Sequence, residues 1–168
     1  SDVTAGGQSV IVANGFAMDT ALQGNKKFNG IAVTPSGSTL SGSLPVWTFE
    51  VVEGGIAISV NGEYLGYDTS TNFMMQAEPY TWTVAAGANG FTIKSAKSTS
   101  RGIFMQTSSN RFGAYSTTNT SGYVFDLELY KLADGTVCDH DYTRTVITTV
   151  TCTQDGQESY TCTKCGDN

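Results

Sequence analysis

The chain's four cysteines and its one histidine carry the sharpest chemical signal, and all of them lie after residue 137. Cys162-Thr163-Lys164-Cys165 is followed by Gly166. This is the spacing at which two thiolates on a tight turn share one metal ion. His140 and Cys152 complete a tetrahedral set, with Cys138 as an alternative ligand. Zinc is the ion this set suits, as a structural staple for a segment too short to bury much of a core. With every position filled, no open one is left to activate water. Two other readings stay open. An even number of cysteines suits disulfides in a secreted chain, or the thiols stay free. Asp155-Gly156 predicts a hairpin turn between Cys152 and Cys162. A two-residue turn there sets Cys152 opposite Ser159 and Cys162 opposite Thr149.

Outside that cluster the residues suit binding better than catalysis. A sugar ring presents C–H faces that pack on aromatic rings, while amides, carboxylates and guanidinium groups hold its hydroxyls. Tyr67-Asp68, and Asn110-Arg111 with Tyr115, have that make-up and are the candidate ligand-binding residues. Tyr115 also reads as a surface tyrosine capping the fold. Catalysis has little to work with. The one histidine sits among cysteines that compete for it. Glu50, Glu53, Glu63, Asp68 and Glu78 could supply a pair of carboxylates for glycoside hydrolysis, but on strands and turns they read as solvated. No phosphate-binding glycine loop, dinucleotide fingerprint or HExxH helix is present. The chain is expected not to be an enzyme.

The elements that position these residues read as strands. Gly, Ser and Thr make up 59 of 168 residues, aromatics are plentiful, and only 14% of residues are charged. That profile points to short strands and tight turns and away from disorder. Asn-Gly occurs four times, at Asn14, Asn29, Asn61 and Asn89, each a strong hairpin signal because both residues tolerate positive φ. Phe125, Leu127 and Leu129 alternate with polar or half-polar neighbours, the period of a half-buried strand. No amphipathic helix is legible; Ala17 to Leu22 makes one helical turn at most.

An internal repeat organises these strands. Trp47, Gly55 and Ile58 map onto Trp82, Gly90 and Ile93 at a constant offset of 35. The equivalence of Trp47 and Trp82 argues for core packing, and Phe112, Phe125 and Leu127 are read as core too. One opening strand is expected four times, at Ser9, Trp47, Trp82 and Tyr123, enclosing three units. The predicted fold is all-β, a β-trefoil-like closed barrel of three pseudo-repeats, with a barrel or sandwich of another topology as the alternative. Composition changes near Ala133-Asp134-Gly135-Thr136, so two domains are expected, residues 1–133 and a small β-hairpin Cys/His unit over 138–168.

Residues 3–132 resemble a domain that recurs in large secreted or surface proteins of anaerobic gut bacteria. The resemblance rests on Gly7-Gln8-Ser9-Val10-Ile11-Val12-Ala13, Trp47, Tyr64-Leu65, Arg111-Phe112-Gly113-Ala114-Tyr115 and Leu129-Tyr130-Lys131. It implies a non-catalytic accessory module beside hydrolases, nucleases or adhesion modules. The tail, Cys138-Asp139-His140, Cys152 and Cys162 to Gly166, is similar to short Cys/His repeats of bacterial surface proteins.

Net charge is −6, and Lys26-Lys27 is the one basic pair, which disfavours nucleic acid as a partner. No apolar run is long enough to cross a membrane as a helix, so membrane insertion is not expected. The abrupt ends read as an excised or processed piece of a larger chain. The functional expectation is an extracellular, monomeric module that binds a glycan or polysaccharide and brings covalently linked domains to it. The alternative is a structural spacer or a protein-interaction and adhesion module.

Overall fold

A computed structural model describes residues 6–37, 39–119 and 121–131, together with the backbone of 142–148 and 157–162. The chain divides into two compact units, Ser1–Leu132 and Ala133–Asn168. Among the described residues every regular element is a strand. In the first unit they are β1 (Gly7–Ala13), β2 (Phe16–Leu22), β3 (Phe28–Ala32), β4 (Trp47–Val52), β5 (Gly55–Val60), β6 (Glu63–Tyr67), β7 (Phe73–Gln76), β8 (Trp82–Ala86), β9 (Phe91–Ser95), β10 (Arg101–Gln106), β11 (Arg111–Ser116), β12 (Tyr123–Val124) and β13 (Glu128–Lys131). The segment that allowed one helical turn, Ala17 to Leu22, is strand β2, paired with β3.

Three hairpins, β2–β3, β6–β7 and β10–β11, repeat through this unit. The remaining strands pair in succession, all antiparallel: β1 with β4, β4 with β5, β5 with β8, and β8 with β9. Phe91 of β9 then bridges Leu127, and β13, which begins one residue later, returns to β1.

The pairings correct the register of the repeat. Ser9, Ile56 and Phe91, in β1, β5 and β9, pair with Trp47, Trp82 and Leu127. Each stands two residues before a fully buried isoleucine, Ile11, Ile58 or Ile93. The three units therefore begin at β1, β5 and β9. The Trp strands close units rather than open them, and the third member of the Trp set is Leu127, not Tyr123. The offset of 35 survives because it relates the β4–β5 hairpin to the β8–β9 hairpin.

Two of the four Asn-Gly pairs are hairpin turns. Asn14 and Gly15 (φ 50° and 75°) join β1 to β2, and Asn61 and Gly62 (φ 52° and 82°) join β5 to β6. Positive φ at both positions matches the right-handed twist of the flanking strands. Asn29-Gly30 instead lies inside β3, where the glycine lets the Asn110 carbonyl come close. Asn89-Gly90 precedes β9, and a Cβ on Gly90 would overlap the Leu127 carbonyl oxygen.

The core forms where the hairpins meet the paired strands. Phe28, Phe73 and Phe112, at equivalent places in the three hairpins, are fully buried, as are Trp47, Trp82 and Leu127. Each indole N–H donates to a hairpin carbonyl, Trp47 to Met18 at 3.1 Å and Trp82 to Leu65 at 2.8 Å. These bonds satisfy polar groups that burial would otherwise leave costly. A second apolar cluster lies on the other face of β1, where Val10, Val12 and Ala17 pack under Val33, Leu40, Leu44 and Val46. Both faces of β1 are covered, so its apolar run is continuous rather than alternating. Phe125 departs from its expected place in the core: it is 41% exposed. Strand pairing resumes only at Leu127, so the alternation that predicted a buried ring begins one step later.

The second unit contains the antiparallel pair β14 (Tyr142–Thr148) and β15 (Gln157–Cys162). Tyr142 stands opposite Cys162, and Thr148 opposite Gln157. Cys162 therefore does not face Thr149. The β-branched run of β14 supplies the paired strand, and Thr145 rather than Cys152 stands opposite Ser159. Cys138, His140, Cys152 and Cys165 lie outside the described residues, as does the side chain of Cys162, and with them the zinc and disulfide expectations.

Candidate functional site

The three hairpin turns meet through a ring of main-chain hydrogen bonds. The Phe73 N–H donates to the Lys26 carbonyl at 3.0 Å, the Ala114 N–H to Thr71 at 3.1 Å, and the Gly30 N–H to Asn110 at 2.7 Å. Lys26, Thr71 and Asn110 each stand two residues before one of the equivalent phenylalanines, Phe28, Phe73 and Phe112. This ring brings the candidate residues to one end of the unit. The turn after Tyr67-Asp68 abuts β11 one residue from Tyr115. Asn110, at φ 48°, turns the chain into Arg111.

Strand pairing decides which side chains share a face. Arg111, Gly113 and Tyr115 lie on one face of β11, with Gln106, Phe104 and Gly102 directly opposite on β10. Phe112, Ala114, Met105 and Ile103 point the other way into the core. Tyr123 pairs with Gln106 and so joins the outer face. There it packs edge-on against Tyr115, with centroids 4.8 Å apart. Phe125 packs on Phe104 at 5.6 Å. Gln106 bridges the two phenols: its Nε2 donates to Tyr123 Oη at 3.4 Å, and its Oε1 accepts from Tyr115 Oη at 3.5 Å.

Tyr115 is therefore not an open platform. It is 6% exposed, lying under Tyr123. Burial raises its phenol above the ordinary value, neighbouring Tyr123 adds to that, and Arg111 works against it. The ring open to a ligand is Phe125, with half-buried Tyr123 beside it. Arg111 is exposed and Asn110 half-buried at the rim of this face. Tyr67 is half-buried and packs against the core; Asp68 is exposed and its N–H donates to the Asn72 carbonyl at 3.1 Å. Those two belong to the neighbouring hairpin and are no part of the aromatic face.

Lys27 was not foreseen as a site residue. Its side chain is 8% exposed, yet its ammonium donates to Asn72 Oδ1 at 2.9 Å and stands 5.8 Å from the centre of the Tyr115 ring. Burial pushes it below its ordinary pKa. The Lys26-Lys27 pair reads in sequence as two solvated cations, and only the packing of β3 beside β11 separates exposed Lys26 from covered Lys27. Glu50, Glu53, Glu63, Asp68 and Glu78 are all exposed. Among the described residues no group of three or more histidine, cysteine, aspartate or glutamate side chains could hold a metal ion.

No family model matches the chain, and no curated protein matches it. Among solved structures, the chain is similar to the Rhizoctonia solani agglutinin, with a TM-score of 0.57 at 14% identity over 76% of this chain and 96% of the agglutinin. At that identity the likeness concerns the fold, which is a trefoil-like all-β arrangement.

Proposed function

We propose that this chain is a non-catalytic glycan-binding module, acting outside the cell beside covalently linked domains. The observation that carries the reading is Phe125, an exposed phenyl ring packed on Phe104, whose strand face also presents Gln106, with Arg111 and Tyr123 opposite Gln106 on the paired strands. An apolar ring fixed from behind, with amide, phenol and guanidinium donors at its edge, offers a sugar both a stacking surface and partners for its hydroxyls. The similar solved structure is an agglutinin, which is in keeping with this reading. The pairing of the first unit's strands in a circuit that starts and ends at β1 supports a closed barrel as the frame behind this face.

The test is a glycan-array screen of the full chain with Phe125→Ala and Tyr123→Ala. We expect specific binding that falls at least tenfold in each variant, about 1.4 kcal/mol. Binding that both variants keep would move the site elsewhere. Silence of the wild-type chain across host, plant and bacterial glycans would overturn the reading and leave a spacer or protein-partner role.

A further inference from the structure

We propose that the glycan held by this face carries an acidic sugar, its carboxylate or sulfate bound by the Arg111 guanidinium beside the Lys27 ammonium. The inference rests on the glycan reading above and adds the chemical class. Two cations share one strand face. Arg111 stands exposed on β11, and the Lys27 stem crosses the same strand two residues further on, over Gly113. A Cβ at Gly113 would sit 2.7 Å from Lys27 Cδ and 2.9 Å from the Tyr115 ring, so the absence of a side chain there is what lets the lysine lie across.

What holds Lys27 in place is neutral: the Asn72 amide oxygen and the Tyr115 ring face. The residue opposite Arg111 on β3 is Asn29, also neutral. Asp126, the acid next in sequence to Phe125, turns its Oδ1 toward Gly87 before β9, where it is buried without a hydrogen-bond partner. Two cations without a carboxylate across the strand, next to an exposed aromatic ring, match an anionic group attached to a ring with an apolar face. A guanidinium fork suits such an oxyanion because it can donate two parallel hydrogen bonds. The chain as a whole is acidic, at −6, so long-range attraction does not explain binding of an anion and the preference must arise from these local contacts.

The experiment measures affinities of the full-length chain for three oligosaccharides of one backbone and linkage, one neutral, one with a uronate and one with a sulfate. Wild type, Arg111→Gln and Arg111→Lys are compared. We expect at least one acidic form to bind the wild-type chain tenfold or more tightly than the neutral form, and the better arm identifies the acid. The acidic-to-neutral ratio should fall to near one in Arg111→Gln and lie between in Arg111→Lys, which keeps the charge and loses the fork. Because it is a ratio, a general loss of folding does not mimic it. Equal affinity for all three sugars, still sensitive to Phe125→Ala, would overturn the acidic-sugar inference and leave the glycan reading standing. No binding to any of the three by the wild-type chain, with the array also silent, would overturn both.

Discussion

Whether a ring can meet a ligand depends on what sits behind and in front of it, and Tyr115 and Phe125 show both cases. Tyr115 is covered by Tyr123 and flanked by Lys27, so its work is to support that face. Phe125 has Phe104 behind it and solvent in front. The tryptophans are the opposite extreme: fully enclosed, each with its N–H spent on a hairpin carbonyl. Trp47→Phe and Trp82→Phe should each lower stability by about 2 kcal/mol, since each leaves both a cavity and an unpaired buried carbonyl. Chemical denaturation of the full chain checks this. A loss under about 0.5 kcal/mol at either site would show that the indole bond and the volume it fills are replaced by relaxation around the smaller ring. The burial of both tryptophans was legible from their shared offset of 35. The covered state of Lys27 was not, because nothing local to two adjacent lysines says that one of them will lie across a glycine from another hairpin.

At the scale of elements, identical dipeptides have unlike tasks. Asn61-Gly62 forms a two-residue turn at positive φ, the job its sequence announces. Asn89-Gly90 looks the same in sequence, yet its glycine makes room for the Leu127 carbonyl, which accepts from the Phe91 N–H at 2.8 Å. The two alanine variants should therefore differ. Gly62→Ala introduces a Cβ into open space at a strained φ and should cost about 1 kcal/mol. Gly90→Ala must displace main chain at the junction of β9 and Leu127 and should cost about 3 kcal/mol or more. Equal losses, read from denaturant midpoints, would contradict the close approach at Gly90. The same junction explains why the alternation through Phe125, Leu127 and Leu129 misplaced one ring. Periodicity reports which residues could share a face, but only the long-range pairing of Leu127 with Phe91 says where the strand starts.

For the whole molecule, three hairpins tied turn to turn by main-chain bonds place one aromatic, cationic face on the β10–β11 hairpin. The all-β, trefoil-like character could be read from composition, glycine turns and the internal repeat, whereas the register of the repeat emerged only from the strand pairings. The proposed face was half legible. Arg111 and Asn110 were singled out and stand at its rim, whereas Tyr67 and Asp68 belong to the next hairpin, and Lys27, Tyr123 and Phe125 emerge only when distant strands pair. On the proposed reading this face takes the glycan. Amide chemical shifts of the isotope-labelled full chain, followed while an acidic oligosaccharide is added, test it most directly. Saturable shifts should concentrate at Phe104–Gln106, Arg111–Tyr115 and Tyr123–Asp126. Saturable shifts centred on Tyr67-Asp68 or on the Asn61-Gly62 turn, with the β10–β11 face undisturbed, would contradict it.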